Sequence, residues 1–304
     1  MIEKLISSLL TFLMSLNVLP SNPAQIAQQN EAGRQITILF AGDVMLGRSV
    51  MGTTIDSGDF LYPFRKVADF TNNADITVVN LENAIIENCP RQGKGSFSFC
   101  TSPEVAQSLR YAGIDVVSLA NNHSGNYGGK GLEETKKYLD EMGILWADGN
   151  KMAIVEKNGM KFGFLGFNYV YKNAKPQDLE LIQESDKRVD VLVVFPHWGE
   201  EYTSMDNRLQ TTAAQKFVEH GADLVIGSHP HWVQNDEIVN GVPVYYSLGN
   251  FVFDQMWSEE TKKGKLVKLT FERSLGGERV GITKSEEFSS YIKNIGQPEI
   301  VGNF

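Results

Sequence analysis

The residues of this 304-residue chain with the clearest capacity for chemistry all follow short apolar runs. ITILF at 36–40 leads into Gly42-Asp43, ITVV at 76–79 into Asn80-Leu81-Glu82-Asn83, and VVSL at 116–119 into Asn121-Asn122-His123. VDVLVVF at 189–195 leads into His197, and LVI at 224–226 into His229-Pro230-His231. Carboxylates, imidazoles and amide oxygens without a thiolate are the donors that a pair of Mn, Fe, Zn or Mg ions would take, and such ions assist hydrolysis. Each residue also has a plainer use. An aspartate after a strand commonly caps a turn, so Asp43 alone reads either way. His229-Pro230-His231 says more, because two imidazoles two apart across a proline can face different ions. Of the five histidines, only His220 lies away from such a run end; it precedes Gly221 at a helix end, where a cation complements the helix dipole, and reads as structural.

The elements that must position these residues can be traced from the same pattern. The runs are short, β-branched and bounded by loop residues, as buried strands are. Between them, Thr101-Ser102-Pro103-Glu104 reads as a capping-box helix start, residues 132–142 as a helix ending at Gly143, and residues 208–220 as a helix ending at Gly221. Asn158-Gly159 and Asn240-Gly241 are hairpin signals, and residues 265–272 alternate up to Gly276-Gly277, so antiparallel strands join the parallel ones. Open α/β sheets gather ligands at the carboxyl ends of their strands, which lets Asp43 through His231 converge on one crevice. The chain is therefore expected to be α/β, with a sheet too large for a simple doubly wound fold. Three segments are expected: a leader and flexible stretch at 1–34, one domain at 35–282, and a polar tail at 283–304 without clear periodicity.

Composition narrows the setting. With 42% hydrophobic residues the chain can bury a large core, and 28 basic against 37 acidic residues give a formal charge of −9, which repels a nucleic-acid backbone. Residues 5–19 form an apolar run behind Lys4, the length of a signal-peptide core and short for a membrane span. No clean cleavage site follows, so the expectation is export to the cell envelope, either secreted or tethered by this segment. A buried helix is the alternative, disfavoured by the lack of a polar stripe and by the polar stretch that follows. Cys89 and Cys100 bracket a Gly-containing segment that can double back; they would pair in an oxidising compartment and remain thiols in the cytosol.

In order along the chain, Gly42-Asp43-Val44-Met45-Leu46, Asn80-Leu81-Glu82, Ala120-Asn121-Asn122-His123, the segment from Pro196-His197-Trp198 to Tyr202, Gly227-Ser228-His229-Pro230-His231 and Tyr246-Ser247-Leu248-Gly249-Asn250-Phe251 resemble the CapA/PgsA-type capsule-synthesis family of the calcineurin-like metallophosphoesterase superfamily. The resemblance covers roughly residues 36–255. It implies a four-layer αββα sandwich of the metallo-dependent phosphatase type, two divalent ions between the layers, and a role in poly-γ-glutamate or related envelope polymer production. By the same resemblance, Asp43 and His231 would bind the first ion, Asn122, His197 and His229 the second, and Glu82 would bridge them. His123 would be the general acid. Implied partners are an anionic polymer or phosphoester substrate and capsule-synthesis membrane proteins.

Two positions depart from the phosphoesterase pattern. Met45 stands where those enzymes carry a histidine, and Glu82 where the bridging residue is an aspartate; both changes are usual in the CapA-type family. Glu200, Glu201 and Asp254 are nearby acids that could replace the missing ligand, with solvated surface the plainer reading for Glu201. Asn121 and Asn250 are further residues for substrate contact or ligand support, although Gly249-Asn250 also reads as a turn. Trp198 and Trp232 would either wall the crevice or pack in the core. The leading expectation is a metal-dependent hydrolase of phosphoesterase type. A polymer-binding accessory protein without turnover and an amide hydrolase of γ-linked polyglutamate stand as alternatives.

Overall fold

Strand β1 (Gln35–Val44) is buried along nearly its whole length, and its alternate side chains enter two different cores. Ile36, Ile38 and Phe40 point one way, Leu39 and Ala41 the other. The computed structural model describes residues 35–93, 95–170, 172–274, 277 and 279–304. The apolar run at 5–19 and Gly276 of the expected Gly276-Gly277 turn lie outside the described residues.

In chain order the further elements are α1 (Arg48–Ser57), a 3-10 turn (Tyr62–Phe64), α2 (Ala68–Thr71), β2 (Ile76–Leu81), β3 (Ala84–Ile85), β4 (Cys100–Thr101), α3 (Pro103–Tyr111), β5 (Val116–Ser118), α4 (Gly128–Glu141), β6 (Leu145–Ala147), β7 (Ala153–Lys157) and β8 (Met160–Asn168). There follow α5 (Pro176–Asp186), β9 (Val191–His197), α6 (Arg208–Glu219), β10 (Leu224–Ile226), β11 (Asp236–Val239), β12 (Val242–Tyr245), β13 (Asn250–Val252), a second 3-10 turn (Glu260–Lys262), β14 (Lys263–Arg273), β15 (Val280–Asn294) and β16 (Gln297–Asn303). One sheet runs β16-β15-β14-β1-β2-β5-β6, with β13 also on β1, and a second runs β11-β12-β10-β9-β8-β7. β1, β2, β5 and β6 are parallel, as are β8, β9, β10 and β12. All five expected strands are present.

The three larger of the apolar clusters among the described residues explain how sheets and helices pack. Between the sheets, Ile38, Phe40, Val78 and Leu269 of the first meet Phe162, Phe164, Val193 and Phe195 of the second. The outer face of the first sheet packs Val79, Leu81 and Val117 against Val50 of α1, Val105 and Leu109 of α3, and Leu139 of α4. The outer face of the second packs Leu192, Val194 and Val225 against Ile182 of α5 and Ala214 and Phe217 of α6. The chain is thus a mixed α/β protein with two facing sheets.

Both Asn-Gly turns close hairpins as expected, Asn158-Gly159 between β7 and β8 and Asn240-Gly241 between β11 and β12, with all four residues at positive φ. Two expectations need correction. The Ser102 side chain makes no capping bond, so α3 starts on Pro103 alone, whereas Asn207 does cap α6 through Leu209 and Gln210 N–H. The boundary at 282/283 falls inside β15, and residues 283–303 continue the first sheet through β15 and β16. Their alternation is hard to see because β15 buries only Ser290 and Ile292.

Burial pushes the Asp223 carboxyl, just before β10, up to about 6; the Leu192 N–H opposes this and Asp186 adds to it. An unfolded aspartate titrates near ~3.9, so between about 4 and 6 the folded state holds the extra proton and stability falls as pH rises. Asp223→Asn retains an acceptor for Leu192 N–H. Its denaturation midpoint should drop less between pH 4.5 and 7 than that of the wild type, and an equal drop in both would refute the assignment.

Candidate metal centre

The carboxyl ends of β1, β2, β5, β9 and β10 deliver the site. Asp43 pairs with Asn80 of β2 on one side and Asn250 of β13 on the other. This close approach requires Gly42, where a Cβ would lie 1.8 Å from the Gly249 carbonyl oxygen. On the second sheet His197 bridges to Ser228, and the chain turns through His229 at φ 100° and His231 at φ 58°. Residues with a Cβ avoid that region, and strain of order 1–3 kcal/mol per residue persists only where neighbours enforce it. Here His229 N–H donates to Asp43 Oδ2 at 3.3 Å and Tyr202 N–H to the Pro230 carbonyl at 2.8 Å.

Glu82 is fully buried, and among the described residues neither of its carboxylate oxygens makes a hydrogen bond of good geometry. Oε1 lies 3.0 Å from His197 Nε2, which is 2.8 Å from Asn122 Oδ1. Oε2 faces His231 Nδ1 at 4.0 Å, which in turn is 3.3 Å from Asp43 Oδ2 and 2.9 Å from Asn250 Oδ1. His229, 2% exposed, has no hydrogen-bond partner on either ring nitrogen. Ligand atoms of Glu82, His229 and His231 lie within 4.8 Å of one another. A buried polar group left unsatisfied costs about 1–3 kcal/mol, more if charged, and a cation among these atoms removes that cost. The residues present therefore fit a divalent metal, with the oxygen and nitrogen donors that such ions accept.

Burial alone would raise the Glu82 carboxyl, but the charge of His231 and then the close polar contact and charge of His197 outweigh it and hold it well below the usual range. Burial, joined by the charges of His197 and His231, pushes His229 down to about 2, so this imidazole is neutral and its lone pair free. His231 moves the opposite way, up to about 9, because Glu82 and Asp43 outweigh its burial.

Asn80, quoted in a motif but given no role by the sequence, ties the sheets together: its Nδ2 is 2.8 Å from Asp43 Oδ1 and 3.2 Å from His197 Nδ1. Asn121 donates to Asn80 Oδ1 and the Leu81 carbonyl, and its own oxygen accepts from His123 and Ser124 N–H, so all its polar atoms serve the loop. Asn250 holds the Gln255 side chain and the Thr261 carbonyl with its amino group, leaving its oxygen to His231. Asp254 is spent on Arg48, an ion pair joined by Ser49 N–H, and does not replace the missing imidazole. Met45 is fully buried, and its sulfur accepts Gly47 N–H at 3.1 Å. Glu200 lines a separate cavity of about 630 Å³ between Tyr169 and α6; the neighbouring Glu201 is the acid whose charge reaches His231. Trp198 is a core residue, stacked on Phe217 and Tyr246. Tyr202, quoted at the end of a motif but given no role by the sequence, stands 6.1 Å from the His231 ring and packs on the exposed Trp257.

His123 sits half-buried beside the cluster, close enough for its charge to act on Glu82 and His229. Its Nδ1 faces Asn126 Oδ1 at 3.0 Å and the Phe97 carbonyl at 3.1 Å, and its ring stacks on Phe99 with centroids 3.9 Å apart. Cys89 and Cys100 form a disulfide.

The family of the bacterial capsule synthesis protein PGA_cap matches residues 37–255. The chain belongs to this family. The PGA biosynthesis protein CapA of Bacillus subtilis (strain 168) is 32% identical over 259 residues, 77% of this chain and 67% of that protein. The capsule biosynthesis protein CapA of Bacillus anthracis is 30% identical over 269 residues, 79% of this chain and 65% of that protein. This PGA_cap-family chain thus spans about two-thirds of the length of these relatives. A crystal structure of a hypothetical protein from Thermus thermophilus shares the fold, with a TM-score of 0.53 and 15% identity over 88% of this chain and all of that one.

If a cation relieves the buried donors, Mn or Zn should raise the unfolding temperature, by linkage about 2.7 kcal/mol at a hundredfold excess over Kd. Glu82→Ala combined with His231→Ala should abolish the shift in a calorimetric scan. A shift that survives the double substitution would place the ion elsewhere.

Proposed function

We propose that this protein is a metal-dependent hydrolase of phosphoesterase type acting in the synthesis of capsule poly-γ-glutamate or a related envelope polymer. The observation that carries the reading is the division of the Glu82 carboxylate, one oxygen towards His197 and Asn122, the other towards His231 and Asp43. It supports two divalent ions, with Asp43, Glu82 and His231 holding one and Glu82, Asn122, His197 and His229 the other. Helices outside two facing sheets support the four-layer sandwich of the metallo-dependent phosphatases. The names of the CapA relatives support the capsule setting, and with it an anionic polymer or phosphoester substrate and membrane proteins of capsule synthesis as partners. The disulfide supports export to an oxidising compartment, with residues 5–19 as signal or tether.

Bound divalent ions would supply charge stabilisation at the reacting group and a lowered water pKa. The chain's own residues supply orientation and proton transfer. Asp43, fixed by Asn80 and by β13, and His231, fixed by Asn250, set one half of the crevice; His197 and Asn122 set the other. Two acceptors at His123 Nδ1 keep the neutral ring's proton there, so Nε2 is the atom that takes up a proton and delivers it to the departing oxygen.

A second reading has its own support. Buried Met45 leaves the Asp43 side one imidazole short, which favours a protein that grips an anionic polymer through metal without turning it over. Elemental analysis and turnover separate the two. The hydrolase should carry near two ions per chain, lost in His229→Ala/His231→Ala. His123→Ala should keep the ions and lose about 10²–10⁴ of its activity on an alkyl phosphodiester with Mn, whose alkoxide leaving group needs the proton. Chelator-sensitive binding of polyglutamate without turnover would put the accessory role in its place, and shortening of the polymer would indicate amide hydrolysis. No metal, and no uptake of Mn or Zn, would overturn both main readings.

A further inference from the structure

We infer that the Cys89–Cys100 disulfide positions His123, so that the thiol–disulfide state of this surface loop sets the efficiency of proton delivery to the leaving group. The inference rests on the hydrolase reading and on the acid role of His123 within it.

Three groups orient the imidazole: the Phe97 carbonyl, Asn126 Oδ1 and the Phe99 ring. Two of them belong to the segment that the disulfide closes, and the third depends on it, because Phe99 N–H donates to the same Asn126 oxygen at 2.7 Å. Among its described residues the rest of the segment is mostly exposed, with Phe97 itself 77% exposed, so little of the apolar burial described there holds it in place. Its C-terminal end is anchored by β4 pairing with β3 and by Ala84 N–H on the Phe99 carbonyl. The N-terminal end has the disulfide, the Arg91–Asp56 ion pair and Gln92, which reaches the Tyr127 hydroxyl. Arg48 links the segment to the crevice by donating to the Ser96 carbonyl at 3.2 Å and lying over the Phe99 ring at 4.5 Å.

A dithiol reductant opens the loop by attacking one sulfur, and leaves as its own cyclic disulfide; two electrons and two protons end on Cys89 and Cys100 as thiols. The Phe97 carbonyl then loses the covalent part of its constraint while the Arg48, Gln92 and Asn126 contacts remain, so His123 is partly misaligned and not released. Cys89, Cys100, Phe97 and Phe99 are positioning residues.

The test compares the full chain, oxidised, reduced and as Cys89→Ser/Cys100→Ser, on two phosphodiesters, one leaving as p-nitrophenolate and one as an alkoxide. A good leaving group needs little protonation and an alkoxide needs much, so a misplaced acid separates the two where general damage slows both. Reduction and the double variant should leave metal per chain unchanged, alter p-nitrophenyl ester turnover less than twofold, and slow the alkyl ester about tenfold, with reoxidation restoring the reduced wild type. An active oxidised enzyme whose two rates are unmoved by reduction, or fall together with loss of metal, overturns this inference alone. A wild type loaded with metal that turns over neither ester overturns the hydrolase reading and this inference with it.

Discussion

A carboxylate taken fully out of water, with imidazoles as the groups against its oxygens, is the constraint on which the rest of this structure depends. Glu82 can stay ionised there only because imidazoles stand against both of its oxygens, His197 on one side and His231 on the other. Such an arrangement is intolerant of small displacements. The features around it that cost stability, two histidines at positive φ and a backbone approach that only Gly42 permits, all hold partners within reach of this one group.

The cluster lies on the seam between the sheets. Asp43, Glu82 and Asn122 come from the first sheet, and His197, His229 and His231 from the second, so neither sheet carries a complete donor set. The inter-sheet core therefore does more than stabilise. Residues such as Phe40 and Phe195, whose rings lie 6.2 Å apart, fix the spacing at which the two half-sites meet. At about 1.5–3 kcal/mol for each large side chain buried, that core outweighs the local cost of the strained turns many times over. Asn80 is the polar counterpart of this packing, since one amide touches an acid of the first half and an imidazole of the second.

How much of this was legible in the sequence follows from the range of the interactions involved. The ligand candidates were readable because a buried parallel strand is a β-branched run, and a polar residue at its carboxyl end has few places to go other than the crevice. The disulfide was readable only as an option, because spacing permits a pair without requiring it. The fates of the neighbouring acids were not readable. Asp254 is claimed by Arg48, over 200 positions away, and Glu200 and Glu201 diverge by the turn of the chain after Gly199. Residues 283–303 escaped notice because a half-exposed edge hairpin needs few apolar residues, and its polar side chains hide the period of two.

Met45 shows how a residue standing where the resemblance would place a histidine is absorbed into the fold. Its thioether is a poor partner for a hard cation, and here it turns into the core and satisfies Gly47 N–H, one residue before Arg48 opens α1. The same residue thus leaves the Asp43 half poorer in nitrogen and helps to seat Arg48, whose guanidinium reaches Asp254, the Ser96 carbonyl and the Phe99 ring. What the half-site loses in donors it retains in rigidity, because Asp43 is still gripped by Asn80, by the Gly249 carbonyl on its own N–H, and by His229 N–H. The two halves are therefore unequal by construction. His197 and Asn122 stand on the side of one oxygen of Glu82 with an imidazole and an amide, while Asp43 and His231 stand on the side of the other with a carboxylate and an imidazole. By ligand type alone, the second set adds a charged oxygen that the first lacks, so any pair of ions held here would differ in affinity even if they were the same element.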